Sequence, residues 1–113
     1  MNLFVYGTLR RRSNNKYARM LSANARFLCN ARMPGRLQPT GQYNAAVPSG
    51  KPGEWVQGEA FHLADPRRSL RALDEYEGPG WKRSIARVRL GRGRWLQAWV
   101  YFPRHVDTSE CPR

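Results

Sequence analysis

The chain has 113 residues, 41% of them hydrophobic, with four Trp, five Tyr and four Phe: enough for one continuous core without metal or disulfide staples, and too little for a second domain able to fold alone. That apolar content argues against disorder throughout, and residues 1–113 read as a single domain with a tail over 103–113. Twenty Lys plus Arg against eight Asp plus Glu give a net charge of +12, so a basic nucleic-acid-binding module stays open beside the simpler account of a solvated arginine-rich surface.

In chain order, Leu3-Phe4-Val5-Tyr6 is a short aromatic and β-branched run that reads as a buried first strand, stopped by the turn Gly7-Thr8-Leu9. It is far too short for a signal peptide or a membrane span, and with only Cys29 and Cys111, at no metal or redox spacing, a reducing cytoplasmic setting is expected. Ser13 can cap a helix over roughly Asn14 to Leu21, with Tyr17, Met20 and Leu21 on one side. Ala25 to Met33 reads as a second strand ended by Pro34-Gly35, with Cys29 as a small core residue. Leu37 to Gly50 reads as loop, with one short strand near Ala45 to Val47.

Trp55 to Leu63 alternates as a strand, in which Gly58 marks a bulge or a close approach of backbone. Asp65-Pro66 then gives a cap and first-position signal, and Gly78-Pro79-Gly80 ends the best helix of the sequence. Ser84, Ala86, Val88 and Leu90 alternate with Ile85, Arg87 and Arg89, and Gly91 to Arg94 turns the chain into a last strand, Trp95 to Phe102, closed by Pro103. In that strand Trp95, Trp99 and Tyr101 share one face, read as an aromatic core face rather than a base-stacking surface. Mostly β elements with two short helices point to an α+β domain whose sheet curls toward a barrel.

The strongest chemical signal is Leu73-Asp74-Glu75-Tyr76-Glu77-Gly78. On a helix starting near Pro66, Glu77 lies seven residues beyond Leu70 and nearly superimposes on it, with Leu73 beside them; Glu75 points away and Asp74 lies on the margin. A carboxylate carried on an apolar face has a raised pKa, as a general base working near neutral pH requires, and Asp74 nearby would push the same way. The plainer alternative is a helix-end glutamate paired with one of the many arginines. The second signal is Tyr6-Gly7-Thr8-Leu9-Arg10, where glycine at a strand end lets consecutive peptide N–H groups converge on an anion. An ordinary strand-to-loop turn would look the same. His62 and His105 have no acid-and-nucleophile spacing around them, and Ser69 and Ser84 lack a nucleophile-elbow context.

The run Leu3 to Arg10 resembles the N-terminal signature of the gamma-glutamylcyclotransferase-like family, which includes gamma-glutamylamine cyclotransferases. Gly41-Gln42-Tyr43-Asn44-Ala45 is similar to that family's glycine-aromatic-proline-alanine loop, Val56 to Phe61 to its central strand, Leu73 to Gly78 to its catalytic helix end, and Lys82-Arg83 with Ala98 to Tyr101 to its last hairpin. Asn44 stands where proline is common and Trp81 where a tyrosine often precedes the Lys/Arg pair. The resemblance implies a small mixed β-barrel with two flanking helices. It also implies Glu77 as the catalytic glutamate, Tyr6, Gly7, Thr8 and Leu9 as the substrate-holding loop, and Tyr101 as an aromatic near the pocket. The implied reaction is ring closure of a small-molecule gamma-glutamyl amine or amide to 5-oxoproline, with no metal or organic cofactor. A non-catalytic ligand binder of the same fold remains a further alternative.

Overall fold

The computed structural model describes residues 1–6, 15–40, 43–47, 49 and 51–103. The described elements are β1 (Asn2–Val5), α1 (Lys16–Asn24), β2 (Ala25–Pro34), β3 (Arg36–Thr40), β4 (Tyr43–Val47), β5 (Trp55–Leu63), α2 (Pro66–Glu77), β6 (Trp81–Leu90) and β7 (Trp95–Pro103). Five strands close into a barrel in the order β1-β5-β2-β6-β7, and β3 pairs with β4 in a separate two-stranded sheet. Pairing is antiparallel except between β1 and β7, which run parallel and meet at Leu3 and Trp99.

Strand alternation sorts the apolar residues into two cores. Phe4, Met33, Val56, Ala60, Val88, Ala98 and Val100 fill the barrel interior. Leu3, Val5, Phe61, Leu63 and Tyr101 point outward, where Leu21 of α1 and Leu70 and Leu73 of α2 cover them. The one-residue step from Phe4 to Val5 is thus a step from inside the barrel to beneath the helices. Gly58 is the close approach expected of it: a Cβ there would meet the Val5 carbonyl oxygen and lie 2.6 Å from Cζ of Phe4.

Several local expectations need correction. Asn15, not Ser13, caps α1: its Oδ1 accepts from the Ala18 amide at 2.8 Å, and the helix runs on to Asn24; Ser13 lies outside the described residues. Tyr17 and Met20 do pack with Leu21 against the outer core. The segment read as loop with one strand holds a full antiparallel hairpin, from Arg36 opposite Val47 to Thr40 opposite Tyr43. Its tight entry depends on Gly35, where a Cβ would come within 2.7 Å of the Val47 carbonyl. Cys29 is half-buried rather than a core residue, because the register of β2 against β5 shifts between Phe27 and Cys29. Strand β6 begins at Trp81, three residues before the alternation becomes visible.

Candidate active site

Helix α2 positions the acids. Asp65 caps it, its side chain accepting from the Arg68 amide, Pro66 opens it, and Gly78, at φ 80°, stops it with its amide donating to the Asp74 carbonyl. Between these ends Leu70 and Leu73 are buried against the barrel, which carries Glu77, the last helical residue, partly out of water. Burial pushes its carboxyl up from an ordinary 4.5 to about 7. Among the described residues Glu77 forms no ion pair with an arginine.

Two tyrosines stand close enough to Glu77 that its charge raises their pKa values. Burial is the main cause for Tyr6, whose hydroxyl is pushed up to about 12 although a hydrogen bond from the Ala46 amide opposes the shift. That hydroxyl accepts from Ala46 N at 3.0 Å and donates to the Tyr101 carbonyl at 2.8 Å, tying the end of β1 to β4 and β7. Tyr101 is driven higher still, first by burial and then by its hydrogen bond to Asp74. Both phenols are therefore held as neutral O–H groups.

Asp74 takes the opposite course. Burial raises its pKa, but the Arg83 hydrogen bonds, the Tyr101 hydroxyl and the guanidinium charge together outweigh that and leave it below the ordinary value. Arg83 grips it with Nε at 3.0 Å and Nη2 at 3.1 Å, while the Tyr101 hydroxyl donates to Oδ1 at 2.6 Å. The expectation that Asp74 would raise the Glu77 pKa is not met, since desolvation alone accounts for that shift. An open groove of about 620 Å³ runs past the end of α2 between Asp74, Gly78, Trp81, Arg83 and Tyr101. Glu77 is not among its lining residues and lies instead near Tyr6, the last described residue before position 15.

The structure thus brings together Tyr6, Glu77 and Tyr101 of the expected site, whereas Gly7, Thr8 and Leu9 lie outside the described residues. Reading the sequence missed the joint grip of Arg83 and Tyr101 on Asp74. Counting back from the Gly91 to Arg94 turn would have set Arg83 opposite Tyr101, as Arg89 is opposite Trp95, but not their joint contact with Asp74. One further expectation changes: Trp95 is not a core residue but 39% exposed, whereas His62 lies at the surface, its ring beside the Asn2 side chain at 3.2 Å. Among the described residues no group of three or more His, Cys, Asp and Glu side chains converges as metal ligands would, and no helix is long and apolar enough to cross a membrane.

Fold and site together define a small mixed barrel with a half-buried carboxyl whose charge reaches two neutral phenols. The chain belongs to the gamma-glutamyl cyclotransferase, AIG2-like family, whose model matches residues 3–113. Among solved structures it is similar to YkqA from Bacillus subtilis (25% identity, TM-score 0.73), covering 93% of this chain and 36% of that one. It is also similar to an AIG2-like protein from Mus musculus (24% identity, TM-score 0.70, covering 94% of this chain and 79% of that one). A third similar structure is a gamma-glutamyl cyclotransferase (21% identity, TM-score 0.65, covering 92% and 66%). The chain therefore spans about a third of the length of the Bacillus protein. No curated protein matches it in sequence.

Proposed function

We propose that the protein is a gamma-glutamyl cyclotransferase in which Glu77 is the general base. The observation that carries this reading is a carboxyl whose pKa is raised to about 7 by burial and whose charge is felt by the hydroxyls of Tyr6 and Tyr101. Family membership supports it at the level of reaction class.

The reaction is an intramolecular aminolysis. The α-amine of the gamma-glutamyl group attacks its own side-chain carbonyl, an N–C bond closes the five-membered lactam, and the C–N bond to the leaving amine breaks. Glu77 takes the proton from the attacking amine and returns it to the departing nitrogen, so no water or other co-reactant is consumed and 5-oxoproline and a free amine are formed. Proton transfer of this kind contributes about 10²- to 10⁴-fold. Nucleophile and carbonyl belong to one molecule, so holding the folded conformer supplies much of the remainder. Amides of Gly7 to Leu9 would hold the substrate carboxylate or the developing oxyanion. The hydroxyl of Tyr101, fixed on Asp74, and that of Tyr6 border the place where the substrate would fold.

The test is release of 5-oxoproline from a panel of gamma-glutamyl amines and amides by the wild-type chain and by Glu77→Gln. Release by the wild type and its loss in the variant, with the fold intact by circular dichroism, supports the assignment. Equal rates would refute the role of Glu77. Thermal stabilisation by the same compounds without product would identify a binding protein of the same fold instead.

A further inference from the structure

A different face of the barrel gathers charge and aromatic surface that the proposed reaction does not use. In sequence Arg32, Arg87 and Arg89 are scattered, but strand register brings them together: Arg32 lies directly opposite Arg89 across β2 and β6, and Arg89 directly opposite Trp95 across β6 and β7. Their side chains alternate with the buried Ala31, Met33, Val88 and Ala98, so they stand on the outside of the barrel. The guanidinium of Arg32 lies 4.2 Å from the centre of the Trp55 ring, and Trp55 lies 6.1 Å from Trp95. Arg87 and Arg89 lie over Trp95 at 4.7 and 5.5 Å. The result is a row of guanidinium, indole, indole and two guanidiniums.

This arrangement runs against what a sheet surface does for stability alone. Like charges directly opposite one another on neighbouring strands are unfavourable, yet Arg32 and Arg89 face each other. Among the described residues none of the three guanidiniums is paired with a carboxylate; the ion pair of the described surface, Arg83 with Asp74, lies elsewhere. A guanidinium stacked flat on an indole keeps its edge N–H groups free to reach phosphate oxygens. Trp95 keeps 39% of its surface in solvent, enough for a further ring to lie against it. Along β7 Trp95 is six residues from Tyr101, about 20 Å, so this face and the carboxyl site are separate.

We propose that this outer face, built from Arg32, Trp55, Arg87, Arg89 and Trp95, binds single-stranded nucleic acid, with phosphates held by the arginines and a base stacked on Trp95. Charge complementarity favours a polyanion, since the chain carries a net +12 and this row contains no acid. The paired indoles favour a single strand, whose bases are free to stack, over a duplex, whose bases are already stacked on one another. The proposal is independent of the cyclotransferase reading.

Fluorescence anisotropy with labelled twelve-nucleotide oligo(U) and oligo(dT) tests it on the full chain, with a duplex of the same length and inorganic polyphosphate as competitors. Binding of either single strand, with quenching of tryptophan emission, is expected. Affinity should fall about 20-fold between about 50 and 200 mM salt, the response for three phosphates on a single strand. Trp95→Ala should weaken binding about tenfold and remove most of the quenching. Arg87→Gln, at an exposed position tolerant of change, should reduce the salt dependence by about one phosphate. Release of 5-oxoproline, where observed, should be unchanged in both variants. Absence of binding at low salt, equal competition by duplex or polyphosphate, or unchanged affinity in Arg87→Gln would each overturn the proposal.

Discussion

Asp74 and Glu77, one helical turn apart on α2, are driven to opposite protonation behaviour by what each touches. Asp74 is gripped by Arg83 and Tyr101 and stays ionised below its ordinary range, while Glu77, withdrawn from water, is raised to about 7. Carboxyls separated in this way can divide labour, one as a fixed anion that orients a phenol and one as a proton carrier.

The pH dependence of turnover follows from the second carboxyl. A general base must be ionised, so the rate of 5-oxoproline release should rise tenfold per pH unit below about 7 and level off above it. A profile measured from pH 5 to 9 checks this. A rate that stays level from pH 5 to 9 would show that turnover does not depend on a carboxyl raised to about 7.

Stability should move in the opposite direction. Because the folded-state pKa of Glu77 lies above its unfolded value, its favourable contribution is complete below about 4.5 and is lost as pH rises through about 7. Glu77→Gln removes that penalty and should be more stable than wild type at pH 8 by about 2 kcal/mol, after allowing for partial solvent screening. Urea denaturation of both proteins at pH 5 and pH 8 measures the difference, which should shrink at the lower pH.

Arg83→Met tests the fixed anion. Asp74 would keep its charge and lose its counter-ion, so the pH midpoint of turnover should shift upward by Coulomb repulsion of the Glu77 proton equilibrium. Asp74→Asn leaves the Arg83 charge uncompensated and by the same reasoning should move that midpoint downward, besides weakening the hold on Tyr101. Both substitutions are half-exposed and should cost no more than about 1 kcal/mol of stability.

Tyr6→Phe removes one oxygen that serves two partners. The Ala46 amide loses its acceptor and the Tyr101 carbonyl its donor, so the variant should lose about 1–3 kcal/mol. Hydrogen exchange at Ala46 should quicken in step, which a purely local loss of packing would not produce.

Gly58→Ala should be among the most damaging small substitutions. The added methyl meets backbone and a packed ring in β1, Val5 and Phe4, and neither can withdraw without opening the barrel. A loss of about 3 kcal/mol or more in thermal or chemical denaturation is expected.

The parts of this fold that were legible beforehand are those with strong local periodicity. Strand β5, helix α2 with its Asp65 and Gly78 ends, and the β6–β7 hairpin follow directly from alternation, caps and turn residues. What escaped depended on partners distant in the chain. The β3–β4 pair contains Pro39 and lies among Gly, Pro and Asn, so its local composition reads as loop, and the pairing of Arg36–Thr40 with Tyr43–Val47 makes it a sheet. For the site, helical spacing alone placed Glu77 beside Leu70 and Leu73 on the buried face. It could not show that Asp74 is occupied by Arg83, because that contact needs the hairpin to fold back onto the helix. Trp95 was misread for a related reason: a strand face has one periodicity along its length, but α1 and α2 cover only part of it, leaving Tyr101 buried and Trp95 in solvent.

Closure of the five-stranded barrel bears on how this protein behaves when crowded with copies of itself. Each barrel strand has a partner on both sides, which uses much of the main-chain ladder that would template sheet growth, although β1 meets β7 at one residue pair and β2 meets β6 at two. Among the described strands, β3 and β4 keep one side open and β6 pairs with β2 only at Arg89 and Leu90, so strand-to-strand association between molecules would start at one of these edges.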